Sequence, residues 1–310
     1  MKTKLSELES RYLNPLTDFG FHKIFGSVSN KDLLIDFLNQ VVREEGLITD
    51  VEYLNPEQLG NYRTDRKAVF DIYCTTEKGE YFIVEMQKAK QSFFRDRSIF
   101  YASIPIQRQA PKGIWNFRLK AVYFVAILDF VIFDEFEEDK EQIVEHVRLI
   151  RERTRTVFSN KLKFAFVELP KFNKTEEELE THFDKWLFLL TNLSKLKDCP
   201  TAVQGEIFKK VFELAEIKQL TKRDMGKYRK SVLDYYDVQD AMECARVEAR
   251  EEALKEGREE GIEKGIEKGI EKGKILVINK CLQKNMSLDD IVFLTGFSKE
   301  QINYYCGNEI

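Results

Sequence analysis

Two carboxylates lie on neighbouring candidate strands of this sequence. Residues 67–74 form the first predicted strand and contain Asp71, and residues 80–87 form the second and contain Glu85. The short polar connection between them ends near Gly79, which is typical of a hairpin. Folding this hairpin brings Asp71 and Glu85 side by side at one edge of a sheet. Two converging carboxylates predict a divalent-metal site for phosphodiester cleavage.

The chemistry assigns a role to each residue of this hairpin. Mg²⁺ prefers carboxylate and carbonyl oxygens, so Asp71, Glu85 and the backbone carbonyl of Met86 are the expected ligands. Gln87 points to the same side as Glu85, because strand residues two apart share a face. Its neutral amide can orient a water molecule but cannot act as a general base. Lys88 is expected on the opposite face.

An ordinary hairpin with acids on its exposed faces is the alternative interpretation. Asp71 and Glu85 each lie between apolar neighbours, which favours the metal site. A carboxylate at such a position is costly to bury unless it is paired or bound to a cation.

The composition limits the remaining classes of function. The chain has 310 residues, a net charge of -4, five scattered cysteines without a CxxC pair, and three histidines. These features suggest about two domains and reduced thiols in a cytoplasmic protein, and they disfavour a zinc ribbon or a disulfide framework. A His-rich zinc site or a Ser-His-Asp triad has few residues to use. Basic patches can still bind nucleic acid locally.

The N-terminal segment predicts no signal peptide. The longest apolar run, residues 121–133, is interrupted by Asp129 and is too short to span a bilayer. We therefore expect a soluble protein with no membrane partner.

The elements around the hairpin predict a mixed α/β core with a sheet covered on at least one face. Thr17 and Asp18 are N-cap candidates for a short first helix. Pro105 is expected to bend or split the helix that follows the Glu85 strand. Besides the hairpin, the predicted helices are 31–45 and 92–109, and the predicted strands are 51–54, 119–133, 145–154 and 161–169.

Residues 175–236 are predicted to be helical throughout, and the tail after them is unusual. Glycines recur every four residues from Gly257 to Gly273, which costs a helix about 0.8–1 kcal/mol for each glycine. This tail is either a solvated linker helix or a helix that pairs with a second copy in a homo-oligomer. The predicted domains are 1–174, a nuclease-like core; 175–238, a helical extension; 239–274, the repeat helix; and 275–310, a small helical module.

The small C-terminal module has the spacing of a helix-turn-helix. Its last helix carries Lys299 as its only cation. An interaction module is therefore favoured over a DNA reader.

Several ordered motifs together resemble a known family. These are Asp18-Phe-x-Phe-x-Lys-Ile-Phe-Gly, Phe70-Asp-Ile, Ile83-Val-Glu-Met-Gln and Glu168-Leu-Pro-Lys-Phe. In this order they resemble the Rpn-type recombination-promoting nucleases and the transposases grouped with them, in the PD-(D/E)XK superfamily. The Gly-Ile-Glu-Lys repeats also resemble the tails common there. The resemblance covers nearly the whole chain.

The resemblance implies a restriction-endonuclease-like mixed sheet flanked by helices, with Mg²⁺-dependent DNA endonuclease activity in which Mn²⁺ can substitute. It assigns Asp71 and Glu85 as metal-binding acids and places Gln87 at the position of the superfamily lysine. Asp18 matches an acidic residue that approaches the metal site, with an N-cap as the alternative. The source of transition-state positive charge stays open.

Candidate DNA contacts precede or lie on the helix after the Glu85 strand. Cationic side chains there would bind phosphates without reading sequence, although each is equally consistent with a solvated helix residue. The candidates are Lys88, Lys90, Arg95, Arg97, Tyr101, Gln107, Arg108 and Gln109. The rival hypothesis is an inactive nuclease-like protein that binds DNA or self-assembles through its helical tail.

Overall fold

The computed structural model describes residues 7–42, 46–55, 57–58 and 68–307. Short 3₁₀ turns connect several of the elements. The helices are α1 (Asp18–Phe25), α2 (Lys31–Val41), α3 (Phe94–Arg108), α4 (His182–Asn192), α5 (Glu206–Ala215), α6 (Lys222–Gln283), α7 (Leu288–Thr295) and α8 (Lys299–Gly307). The strands are β1 (Val51–Tyr53), β2 (Glu57–Gln58), β3 (Ala68–Val69), β4 (Ile72–Thr76), β5 (Tyr81–Gln87), β6 (Val122–Leu128), β7 (Val144–Ile150) and β8 (Val157–Glu168).

Six strands form one mixed sheet in the order β1-β4-β5-β6-β8-β7. Strands β5, β6 and β8 run parallel, while β1, β4 and β7 join through antiparallel pairs. All seven residues of β6 are buried, which fits a central strand covered on both faces. The mixed sheet with flanking helices confirms the predicted fold class.

The two faces of the sheet carry separate hydrophobic cores. One face packs against α1, α2, α4, α5 and the start of α6, and the other packs against α3 and the loop after β6. Side chains alternate between the cores along β6, so that Tyr123 and Val125 join the first and Phe124 and Ala126 the second. On β5, Ile83 belongs to the second core, and Glu85 therefore points toward α3.

Local chemistry explains where α1 begins. The Thr17 hydroxyl accepts a hydrogen bond from the Gly20 N–H at 3.1 Å, so Thr17, and not Asp18, is the N-cap. Any Cβ at position 20 would lie 2.0 Å from the Asn14 carbonyl oxygen, which leaves glycine as the residue that fits. The helix buries Phe21, Ile24 and Phe25, as their spacing predicts.

Several predicted elements differ in the structure, and residues 175–236 are divided into α4, α5 and the start of α6 by 3₁₀ turns and non-helical residues. Pro105 does not split α3, because it lies near the C-terminal end of the helix, where the missing N–H removes one bond close to the frayed end. The predicted strand 119–133 is shorter, since β6 ends at Leu128. Helix α2 ends at Val41, and the predicted end at Glu45 lies outside the described residues.

The chain divides into two compact units, Met1–Met242 and Glu243–Ile310. In the second unit, Ile278, Cys281, Ile291 and Ile302 form a small buried core. The Ser287 hydroxyl accepts a hydrogen bond from the Asp290 N–H at 3.2 Å and so caps the start of α7. The boundaries of the four domains predicted above remain predictions.

The repeat region is helical, as part of α6. Its isoleucines Ile262, Ile266 and Ile270 are exposed, and a Cβ at any of the repeat glycines would meet open space within the described part of the chain. Pairing of this helix with a second copy stays a prediction. No helix in the described ranges combines the length and the apolar character needed to span a bilayer.

A buried ion pair closes the carboxyl end of β8. Glu168 and Lys171, with side chains 0% and 5% exposed, lie 2.5 Å apart. Glu168 also accepts the backbone N–H groups of Ile132 and Phe133, and Lys171 donates to three carbonyl groups of the loop after β6. The pair therefore fixes this loop to the sheet.

Replacing Lys171 with methionine is expected to lower the free energy of unfolding by about 3–5 kcal/mol, because the buried Glu168 carboxylate would lose its cation. Urea denaturation at pH 7 measures the change. The matched control is Lys140→Met, which removes the exposed Lys140–Glu137 pair and is expected to cost less than about 1 kcal/mol. Equal costs for the two variants would contradict the structural role of the buried pair.

Candidate active site

Asp71 does not lie inside a continuous strand, which corrects the expectation for residues 67–74. Strand β3 ends at Val69, and β4 begins at Ile72. Asp71 occupies the bend between them, directly opposite Glu85 by extension of the Ile72↔Val84 register. The apolar run in the sequence hides this break. It places the carboxylate where the β4–β5 ladder stops.

The two acids exchange hydrogen bonds with each other's strands. The Met86 N–H donates to Asp71 Oδ2 at 2.8 Å, and the Asp71 N–H donates to Glu85 Oε1 at 3.3 Å. The Asp71 carboxylate thus accepts the Met86 N–H that a backbone carbonyl would accept if the ladder continued. Both carboxylates are held at the same point of the sheet edge, as the hairpin predicts.

Burial makes this pair of negative charges unfavourable. Glu85 is 3% exposed, and its pKa is raised to about 8, first by burial and then by the neighbouring charge of Asp71. Burial also raises the pKa of Asp71, against the opposing effects of the Met86 N–H and of the nearby His22 and Arg97. Two buried negative charges this close together therefore favour a bound proton or a bound cation.

The pair opens into a cavity of about 280 Å³. Arg97 reaches it from α3, with Nη2 3.5 Å from Glu85 Oε2. Its guanidinium also donates to Gln91 Oε1 at 2.6 Å and lies over the Tyr101 ring at 4.9 Å. The cavity is lined by Asp18, Val69, Asp71, Glu85, Met86, Gln87, Lys88, Ala89, Gln91, Arg97 and Val238. Arg97 is thus the guanidinium that directly faces the acids.

Helix α1 closes one side of the cavity. Asp18 lies at the first position of this helix and forms an ion pair with Lys88, with 2.7 Å between Asp18 Oδ1 and Lys88 Nζ. Lys88 follows the last residue of β5 and turns toward α1, away from the α3 side where Arg97 lies, as alternation predicts. Lys88 nevertheless lines the cavity, as does Asp18, with which it is paired. Asp18 is therefore near the acids without being an N-cap.

The remaining predicted DNA contacts lie elsewhere. Arg95 donates to the Ile132 carbonyl at 2.6 Å and to Glu135 at 2.7 Å, and with Lys90 it lines a separate cavity of about 690 Å³. Gln107 and Arg108 lie about 15–17 Å along the helix from Arg97, from the rise of 1.5 Å per residue. Gln109 bonds to the backbone of Lys120.

Helix α6 supplies contacts that sequence analysis missed. Tyr235 donates to Asp129 Oδ2 at 2.8 Å, and Gln239 donates to the same oxygen at 3.2 Å and to the Lys88 carbonyl at 3.4 Å. Asp129 in turn donates its N–H to the Gln87 carbonyl at 3.0 Å. The first turns of α6 are thereby fixed to the ends of β5 and β6. The spacing of Tyr235 and Gln239, four residues apart, is the only signal in the sequence.

His22 was also missed, although a signal was present. It lies four residues after Asp18 and hence on the same face of α1. Proximity to His22 opposes the rise in the pKa of Asp71 that burial causes.

The residues present fit a divalent cation of the Mg²⁺ type. Asp71 and Glu85 supply two carboxylates. Within the described ranges no group of three or more Asp, Glu, His or Cys side chains is placed to hold a metal ion. Mg²⁺ commonly uses one or two carboxylates and keeps several waters. The Met86 carbonyl suits the set, because a strand residue directs its N–H and C=O toward the same neighbour, and the Met86 N–H points at Asp71.

Mixed topology and two acids at the sheet edge define a restriction-endonuclease-like fold. A family model described as PD-(D/E)XK nuclease family transposase matches residues 15–245. The chain therefore belongs to this family, whose nucleases generally use divalent metals. No curated protein and no solved structure gives a significant match.

The raised pKa of Glu85 predicts a pH-dependent stability of the metal-free protein. The folded state retains a proton that the unfolded chain releases, so the free energy of unfolding falls as pH rises from about 4.5 to about 8. Each unit of pKa shift corresponds to about 1.4 kcal/mol. Urea denaturation with EDTA at pH 5, 6.5 and 8 measures this fall, and Glu85→Gln is expected to reduce it.

The control for this measurement is Glu52→Gln at an exposed position of β1, which should leave the pH dependence of the wild type unchanged. Added Mg²⁺ should restore stability at pH 8 in the wild type but not in Glu85→Gln. A parallel pH dependence in all three proteins would show that Glu85 does not hold the proton.

Proposed function

We propose that this protein is a Mg²⁺-dependent DNA endonuclease of the Rpn type that hydrolyses phosphodiester bonds in recombination or mobile-element movement, with Mn²⁺ able to substitute. The observation that carries the proposal is the buried Asp71–Glu85 pair facing Arg97 in one cavity. A cation would relieve the repulsion within this pair, and DNA phosphate would bring negative charge to the same place.

The chain's own residues would divide the work as follows. Asp71, Glu85 and the Met86 carbonyl hold the metal, which when bound polarises the phosphoryl oxygen and activates a water molecule. Gln87 orients that water by hydrogen bonding. Asp18 keeps Lys88 at the rim of the cavity, where its ammonium can contact a flanking phosphate.

Arg97 would supply the positive charge that the neutral Gln87 does not. Its guanidinium is only partly exposed and is oriented by Gln91 and Tyr101, so it is ordered before substrate arrives. An ordered cation beside the reacting phosphate stabilises charge that develops on the phosphoryl oxygens. Arg95, two residues earlier, is engaged by Ile132 and Glu135 and would not take this role.

The second candidate function is that of a nuclease-like protein that binds DNA without cleaving it. The neutral side chain of Gln87 favours it, because an amide cannot supply the positive charge of a lysine. Self-association through the exposed isoleucines of α6 is compatible with either function. For both we propose a cytoplasmic location, because the four described cysteines are free thiols.

Asp71→Asn is expected to lower plasmid nicking in Mg²⁺ by more than about 100-fold, because a direct metal ligand is lost and even outer-shell partners contribute 10–100-fold. Nicking of supercoiled DNA on agarose gels measures the rate. Asp50→Asn, at an exposed acid paired with Lys31, is the matched control and should retain wild-type activity. Equal nicking by both variants would refute the assignment, as would no nicking by the wild type in Mg²⁺ or Mn²⁺.

Arg97→Gln is expected to lower kcat by about 100-fold with little change in KM, because the loss of one transition-state donor typically costs 10²–10³-fold. Arg95→Gln on the same helix is the matched control and should keep kcat. Adding Gln87→Lys to Arg97→Gln should restore part of kcat by returning a cation to the cavity. Equal losses in the two single variants, or no rescue, would contradict the role of Arg97.

A further inference from the structure

The β7–β8 hairpin extends beyond the rest of the sheet. Pairing of β8 with β6 begins at Leu162, so residues 157–161 pair only with β7 or continue past it. At the tip, the Arg151 N–H donates to the Thr156 carbonyl and the Arg155 N–H to the Arg151 carbonyl, both at 2.8 Å. The hairpin is therefore an ordered two-stranded ribbon with a closed turn.

This ribbon is strongly basic in an acidic chain. Residues 148–161 contain five arginines or lysines and one acid, whereas the whole chain has a net charge of -4. Arg151, Arg153 and Arg155 are all exposed, and none of them joins an ion pair between described residues. The tip thus presents positive charge that the described part of the fold does not neutralise.

Apolar side chains lie among these cations. Leu149, Ile150 and Val157 are exposed, and Phe158 is 73% exposed. A two-stranded β-ribbon has the dimensions to enter the major groove of B-DNA. Cations that contact phosphates, with apolar groups between them, fit the charged backbone and the groove floor of a duplex.

The ribbon lies far from the two acids. Glu85 is in register with Ala126 and, through it, with Phe166, and the tip begins nine residues earlier on β8 at Val157. At about 3.3 Å per residue this separation is about 30 Å, measured along β8 toward the end of the sheet opposite the acids. The tip cannot contact the phosphate at the cavity, but 30 Å corresponds to about nine base pairs of duplex.

We propose that the basic hairpin, residues 148–161, is a second DNA-binding surface that holds duplex phosphates at a distance from the site of cleavage. This inference rests on the proposed function for the identity of the polyanion. It requires no metal, since phosphate contacts depend on the arginine charges alone.

The test is fluorescence anisotropy with a duplex of 30 base pairs and one of eight base pairs, which is too short to reach both surfaces, in EDTA at NaCl from 50 to 200 mM. Arg151→Ala/Arg153→Ala/Arg155→Ala should weaken binding to the 30-base-pair duplex by at least about tenfold and reduce the slope of log K against log salt by about 2–3. Binding to the shorter duplex should change much less. The triple substitution to lysine should retain most of the affinity.

The matched control is Arg246→Ala/Arg250→Ala/Arg258→Ala, which removes the same charge from exposed positions of α6. Equal weakening by both triple variants, or none by the hairpin variant, would overturn the inference, and the second result would leave the ribbon as a protein contact. Nicking in Mg²⁺ is scored separately. No nicking with hairpin-dependent binding refutes cleavage alone, while nicking with hairpin-independent binding refutes the hairpin surface alone.

Discussion

The candidate site depends on one reciprocal exchange, in which two backbone N–H groups donate to carboxylates and not to carbonyls. Because β4 begins only at Ile72, the Met86 N–H meets the Asp71 side chain, and the Asp71 N–H meets the Glu85 side chain. The same bonds set the end of the strand pair and the spacing of the acids. Sheet geometry and electrostatics therefore cannot be altered independently here.

A second buried acid, Glu168, lies at the same end of the sheet, and its negative charge is balanced by a buried cation. Glu168 accepts two backbone N–H groups and lies 2.5 Å from Lys171. Glu85 accepts one N–H at 3.3 Å and faces Arg97 at 3.5 Å, with Asp71 repelling it. The difference separates a structural carboxylate from one left able to bind a further cation.

The sequence was sufficient to predict that Asp71 and Glu85 lie side by side, and insufficient to predict which cation faces them. Alternation along the strand predicted that Glu85 and Gln87 share a face, and the apolar flanks marked the acids as unusual. The break at Asp71 was hidden, because apolar residues continue on both sides of it. Arg95 and Arg97 lie about 200° apart around α3, and only packing reveals which one faces Glu85. Contacts of Tyr235 and Gln239 span more than 100 residues and leave no local pattern.

The attachment of α6 to Asp129 and Lys88 has a consequence for how this chain can be shortened. The compact unit that contains the acids ends at Met242, inside a helix that continues to Gln283, and no loop marks the limit. Proteolysis just after Met242 would release the tail and leave both hydrogen-bonding side chains in place. Cleavage between Tyr235 and Gln239, about one to two turns of helix earlier, would remove the hydrogen bond from Gln239 to the Lys88 carbonyl. A difference of a few residues therefore decides whether the shortened chain keeps the hydrogen bond between Gln239 and the Lys88 carbonyl.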